Sequence, residues 1–134
     1  MKFIIEQDRI LSDSGFRTLS ISPNEENGYR PYELFISSLI GCSGTLLRNI
    51  LTKKRFAYER IGMEAAATRN AAHANRIESI SITAYISADK GLTEIQTEKI
   101  VNLVIQNCGM IQSVIPAIDV KLSIKYSLPS GGSD

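Results

Sequence analysis

Apolar and polar positions change rhythm several times along this chain, and each change marks an element. Over residues 1–22 the runs "KFIIE", "RIL" and "FRTLSIS" are short and carry β-branched and aromatic residues. They are broken at "SDSG", so they predict short strands and a turn. "PNEENGYRP" is polar and predicts a loop. The rhythm then turns helical, with Leu39, Ile40, Leu46, Leu47, Ile50 and Leu51 on one side. Pro31 suits the first turn of this helix and Glu33 its positive end. Lys53, Lys54 and Arg55 suit its negative end, near Lys54.

"YERIGMEAAATR" returns to a period of two. Ile61, Met63, Ala65 and Ala67 share one face, and Arg60, Glu64 and Thr68 share the other. The same parity carries Arg69 onto the apolar face. After the connecting "NAAHAN", the stretch "RIESISITAYIS" sets Ile80, Ile82, Ala84 and Ile86 on one side. Thr93 and Gln96 of "TEIQ" fit a capping box. Ile100, Val101, Val104, Ile105 and Cys108 then form the stripe of a second helix, with Gly109 placed to close it as its C′ residue. "MIQSVIP" fits one more short helical turn. "AIDVKLSIKYSL" alternates Ile118, Val120, Leu122, Ile124 and Tyr126 with polar residues, as a half-buried strand does. The order is β-β-(β)-α-β-β-α-β. Strands adjacent in sequence are expected to pair antiparallel, which makes the fold α+β. Residues 1–128 are expected to form a single domain and residues 129–134 a flexible tail.

Composition narrows the function more than the fold. The chain has 134 residues, 43% hydrophobic but only 7% aromatic, so its core is mostly aliphatic. Its net charge is +1, with both signs interspersed, and nothing argues for a nucleic-acid or anionic-membrane partner. The opening "MKFIIEQDRI" is too short an apolar run for a signal peptide. No stretch is expected to reach the roughly 18 apolar residues of a membrane span, so a cytoplasmic location is expected. Two cysteines and one histidine, with no Cys-x-x-Cys, make neither a structural zinc site nor, in a reducing compartment, a permanent disulfide. No cofactor motif is present, no Gly-rich phosphate loop and no paired-carboxylate constellation.

The thiols are the remaining chemistry. Ser38, Gly41, Cys42 and Thr45 form a narrow stripe of small residues that would let another backbone come close. Cys108 falls in phase with Val101 and Val104, so both thiols face the interior and could meet if the helices pack together. Each could equally be a small buried hydrophobe. A reactive cysteine needs its thiolate favoured. Cys42 is in mid-helix and Cys108 at a helix C-terminus, so neither gains from its own helix. A cation is then required. Arg69, on an apolar strand face, is the first candidate, or else it snorkels to water at the strand end. Arg9, Arg17 and Arg30 are weaker candidates, and His73 sits in a polar loop. With a cation beside it, Cys42 is the better nucleophile and Cys108 the better resolving partner. Met110, Phe35, Ile36 and Leu39 could line an apolar pocket or belong to the core.

"RPYELFISSLIGCSGTLL" resembles the Pro-x-Glu-Leu…Cys helix of the OsmC/Ohr superfamily, the osmotically inducible and organic hydroperoxide resistance proteins. "NLVIQNCGMIQSVIPAIDVKLSIKY" is similar to the family's second-cysteine helix and terminal strand. The resemblance implies an OsmC-like fold, with two long helices packed on antiparallel sheets in an intertwined homodimer. It implies a peroxiredoxin-like thiol peroxidase that reduces organic hydroperoxides, an antioxidant role in the oxidative stress response. Cys42 would become a sulfenic acid and then a Cys42–Cys108 disulfide, reduced by an external dithiol such as a lipoyl group. Tyr32 directly follows Pro31 where peroxidase members carry Glu, and Glu33 comes one residue later. Their N-terminal Arg falls near Glu6 here. An Arg closing the following strand matches Arg69 and points to a divergent OsmC-like branch. Cys42, Cys108, Arg69 and Glu33 are therefore the expected catalytic set. The alternative is a non-catalytic dimer that binds a small apolar molecule or senses redox state.

Overall fold

The computed structural model describes residues 1–13 and 15–129. Ser14, in the expected first turn, and residues 130–134 of the expected tail lie outside the described residues. Residues 1–38 and 39–134 form two compact units.

In the first unit, β1 (Lys2–Ile5), β2 (Ile10–Asp13) and β3 (Thr18–Ile21) make an antiparallel meander in that order. Gly15, just after β2, has φ +101°, a conformation that glycine adopts at no steric cost. The loop after β3 returns to the strand. Tyr29 N–H donates to Ser20 O at 2.9 Å, and Ser22 N–H donates to Tyr29 O at 3.0 Å. Gly28 lies so close to β3 that a Cβ would stand 2.6 Å from the Ser20 carbonyl oxygen. β1 leaves Phe3, Ile4 and Ile5 exposed.

Helix α1 (Pro31–Lys53) follows, ending within one residue of the expected Lys54. By length and composition it could cross a membrane, against the expectation that no stretch would. Buried helices of protein cores meet the same test, and one such helix is weak evidence for insertion.

The second unit continues with β4 (Arg60–Asn70), β5 (Arg76–Ser87), α2 (Glu94–Asn107), α3 (Gly109–Val114) and β6 (Asp119–Ser127). The sheet order is β4-β5-β6. β4 and β5 form the expected antiparallel hairpin, with Ala65 opposite Ile82. β6, however, lies parallel to β5, with Ile82 opposite Leu122. The expectation of wholly antiparallel sheets fails here because α2 and α3 stand between the two strands. A helical crossover returns the chain to the end where β5 began, and only a parallel strand can follow.

The alternation read in β5 holds. Ile80, Ile82, Ala84 and Ile86 are buried, together with Leu47, Leu51, Ile100, Val104 and Ile111. Each of the large side chains contributes about 1.5–3 kcal/mol by leaving water. The capping box of α2 is closed on both sides: Gln96 N–H donates to Thr93 Oγ1 (3.2 Å) and Thr93 N–H to Gln96 Oε1 (3.1 Å).

A register shift falls between Thr68 and Arg69, and its extra residue is Glu78 of β5: Thr68 stands opposite Ser79 and Arg69 opposite Ile77. Arg69 lies at the end of β4, where its long side chain reaches water as the alternative reading expects. It is exposed, and its Nε donates to the Asn75 carbonyl at 3.0 Å, across the hairpin turn.

Candidate active site

α1 buries one stripe, Leu39, Ser43, Leu47 and Leu51. Cys42 and Gly44 sit on opposite shoulders of it, roughly 160° apart at 100° per residue. On the Gly44 shoulder, a Cβ would lie 3.0 Å from Met63 Sδ of β4. This is the close approach that the glycine permits. Gly41 is different: a Cβ there meets nothing within 4 Å, and Ser38, Gly41 and Thr45 are exposed. Apart from Cys42, the small-residue stripe is therefore an outward seam.

A groove of about 570 Å³ runs along that side, between Gly41, Gly44, Thr45 and Arg48 of α1 and the chain entering β4. Neither thiol lines it. Of the residues expected to line an apolar pocket, Leu39 is fully buried in the core and Met110 is 42% exposed.

On the Cys42 shoulder stands the junction of α2 and α3. Cys108 was expected as the last residue of the second helix's stripe, with Gly109 stopping the chain. Instead α2 ends at Asn107, and Cys108 caps two helices at once, extended at φ −79°, ψ 108°. Its N–H donates to Val104 O and its carbonyl accepts from Gln112 N–H, both at 2.9 Å. Gln112 Nε2 reaches back to Ile105 O at 2.7 Å, tying α3 to α2. Gly109 is the first residue of α3, and Ile111 anchors that helix in the core at 0% exposure.

The first amides of a helix have no partner within it. Here they serve the cysteine of another helix. The Cys42 thiol, partly exposed, is held below its ordinary pKa by the Met110 N–H, then by the Cys108 thiol as donor, with the Gly109 N–H adding to both. Partial burial opposes them. The Cys108 thiol moves the other way. Its complete burial pushes it up, and the Cys42 thiol raises it further, while the Ile111 and Met110 amides work against the rise. Cys108 Sγ closes no capping hydrogen bond with α3. Both cysteines are free thiols. The pair thus holds an accessible thiol inclined to ionise beside a buried one inclined to keep its proton. That is the arrangement of a nucleophile and a proton-bearing second thiol.

The cation expected beside Cys42 is not among the groups that lower it; neutral N–H dipoles take that part. Neither cysteine's own helix end shows this, because the amides belong to the helix that Cys42 faces. The signal was present in "CGMIQSV", where Gly109 starts a helix instead of ending one.

Among the expected site residues, the structure brings Cys42 and Cys108 together. Glu33 caps α1, its Oε1 accepting from both the N–H and the Nε of Arg30 at 3.0 Å. The Arg30 guanidinium and amide hold its carboxyl below the usual range. Arg9 pairs with Glu6 at 2.9 Å, and Arg17 lies over the Phe16 ring. His73 is exposed in the turn between β4 and β5. Among the described residues no three His, Cys, Asp or Glu side chains gather where a metal could be held.

The chain matches the family model for OsmC-like protein over residues 23–123. No protein of curated function matches it. A hypothetical protein from Aquifex aeolicus has the same fold, with a TM-score of 0.82 at 24% identity over 96% of each chain. An organic hydroperoxide resistance protein OsmC from Legionella pneumophila superposes with a TM-score of 0.70 at 18% identity, over 92% of this chain and 93% of its own. The organic hydroperoxide resistance protein OhrB of Bacillus subtilis gives 0.65 at 18%, over 92% and 95%.

Proposed function

The chain belongs to the OsmC-like protein family, and from that premise we propose that it is a thiol peroxidase for organic hydroperoxides. The observation that carries this reading is the opposed pair of thiols, Cys42 favoured as thiolate and Cys108 held protonated beside it. The Cys42 thiolate attacks the terminal oxygen of the hydroperoxide. The O–O bond breaks, Cys42 becomes a sulfenic acid, and the alkoxide leaves and takes a proton from water. Cys108 then attacks the sulfenic sulfur, forming the disulfide and releasing water. An external dithiol, such as a lipoyl group, exchanges with the disulfide and leaves as a cyclic disulfide, restoring both thiols. No bound cofactor takes part.

The working unit in this reading is a cytoplasmic homodimer. Its support is the unfilled side of α1: only 22% of its most apolar 18-residue window is buried within one chain, and its small residues form an exposed seam. Small side chains at such a seam let two helices approach closely.

A second reading, a non-catalytic dimer that binds a small apolar molecule or senses redox state, is favoured by the absence of a cation among the groups that lower Cys42. Its further support is that Glu33 is engaged by Arg30. Purified protein with cumene hydroperoxide and dihydrolipoate separates the two. Sustained peroxide consumption, lost in Cys42→Ser, supports the peroxidase; consumption no faster than that variant's overturns it.

A further inference from the structure

Cys108 leaves the helical path by one angle. Its ψ is 108°, where a helix needs about −42°. Its own N–H is untouched by this and still donates to Val104 O at 2.9 Å. The next amide is displaced. In an unbroken helix the Gly109 N–H would donate to Ile105 O, four residues back. With Cys108 extended, that N–H turns away, and the Ile105 carbonyl takes another donor, Gln112 Nε2, at 2.7 Å. The Gln112 backbone N–H meanwhile donates to the Cys108 carbonyl at 2.9 Å. One residue thus holds both sides of the corner, the α2 side through its side chain and Cys108 itself through its backbone. The Gln112 side chain is exposed, so this bond, and not burial, is what fixes it.

We propose that Gln112 is a positioning residue for the resolving step: its side-chain amide holds the α2–α3 corner from which Cys108 attacks Cys42. This inference rests on the thiol-peroxidase reading and names what orients the second thiol of that reading. Two local forms compete for the Ile105 carbonyl. In the corner Gln112 serves it. In a straightened α2–α3 the Gly109 N–H would serve it, and the peptide after Cys108 would be rotated by roughly 150°. Gly109 is exposed and has no Cβ to resist that rotation. The Gln112 side chain supplies the donor that the corner gives up, and so removes the reward for straightening. In the resolving step Cys108 Sγ bonds to the Cys42 sulfur as the S–O bond of the sulfenic acid breaks, and the hydroxyl leaves with the Cys108 proton as water. Such a displacement is fast only while both sulfurs and the leaving oxygen stay in line. A slack corner keeps them so for a smaller share of the time.

The test adds one equivalent of cumene hydroperoxide to reduced protein with a fixed excess of dimedone, and compares the dimedone adduct on Cys42 with the Cys42–Cys108 disulfide by mass. That ratio reads the resolving step alone, whatever the rate at which Cys42 was oxidised. Gln112→Met keeps the length and helix propensity but has no donor. It should raise the ratio roughly three- to tenfold, as loss of one hydrogen bond does. Gln112→Lys, which restores a donor, should bring the ratio back close to that of the unaltered chain. A ratio unmoved in Gln112→Met, or raised equally in both variants, overturns the assignment and leaves the peroxidase standing. If the hydroperoxide is not consumed, the peroxidase reading falls. The corner is then decided with diamide, which adds to the Cys42 thiolate and is displaced by Cys108 as its hydrazine. Closure of that adduct slowed by the same factor in Gln112→Met, and restored in Gln112→Lys, supports the role of Gln112; equal closure in all three chains overturns it.

Discussion

Cys42 and Cys108 are the same residue in opposite surroundings, and the contrast explains what each can do. Cys42 rides the shoulder of a long helix, partly open to solvent, with the unpaired amides of α3 supplied to it across a gap. Cys108 is fully buried at the junction that supplies them. Burial disfavours charge on the second thiol, and aligned N–H groups favour charge on the first. One short helix therefore both builds the nucleophile and hides its partner. The lesson is that a cysteine's reactivity is set by the helix end it faces, which need not belong to the helix it sits on.

The contrast is broken most completely by removing either thiol. Cys42→Ser should lower hydroperoxide turnover by about 1,000-fold or more, as loss of a nucleophile does. Cys108→Ser should still consume one equivalent of peroxide and then stall at the sulfenic acid, which a dimedone adduct on Cys42 would reveal. Next in size is Ile111→Ala, which loosens the anchor of α3. It should cost about 2–5 kcal/mol of stability, read as a lower urea midpoint, and should also weaken the hold on the Cys42 thiolate.

A finer change removes one amide and spares the fold. Gly109 is the first residue of α3, Cys108 before it is already extended, and a Cβ at Gly109 meets nothing within 4 Å. Proline suits that position but has no N–H. Gly109→Pro should raise the Cys42 pKa toward the ordinary thiol value, while Gly109→Ala, which keeps the N–H, should not. The pH dependence of iodoacetamide labelling reports both. The sign follows from the shifts: a lowered Cys42 gives more thiolate in the folded chain between its folded and unfolded midpoints, so native labelling begins at lower pH than labelling in denaturant. The stability linked to this shift is full above the unfolded midpoint and is lost as pH falls through the folded one. Cys108, shifted up, should label only at higher pH than it does in denaturant.

The smallest expected effect is on the seam side of α1. Gly41→Ala should stabilise the monomer by about 0.5–1 kcal/mol through helix propensity. A net loss of stability, with fewer dimers by sedimentation, would show that a second copy packs on Gly41.

Much of this was legible in the sequence, for local reasons. The alternation of Ile80, Ile82, Ala84 and Ile86, the Thr93 cap and Pro31 at the start of α1 each act within a few residues, where pattern and propensity are strong. The pairing of β6 beside β5 needed the crossover to be counted, because direction is set by what lies between the strands. Arg69 has the parity of the apolar face but lies at the strand end, where a long side chain reaches water and parity no longer decides exposure. Gly109 was ambiguous because glycine closes a helix as readily as it begins one. Both thiols were found from the sequence. The source of their asymmetry was not, since it comes from amides that carry no side-chain signature.

The most direct test of the account adds one equivalent of cumene hydroperoxide to fully reduced protein without reductant, followed by intact mass and peptide mapping. The account predicts loss of two hydrogens per chain and a single Cys42–Cys108 link, formed as fast as the peroxide disappears. Unconsumed peroxide with both thiols still free, or Cys42 carried on to the sulfinic acid while Cys108 stays reduced, would contradict it.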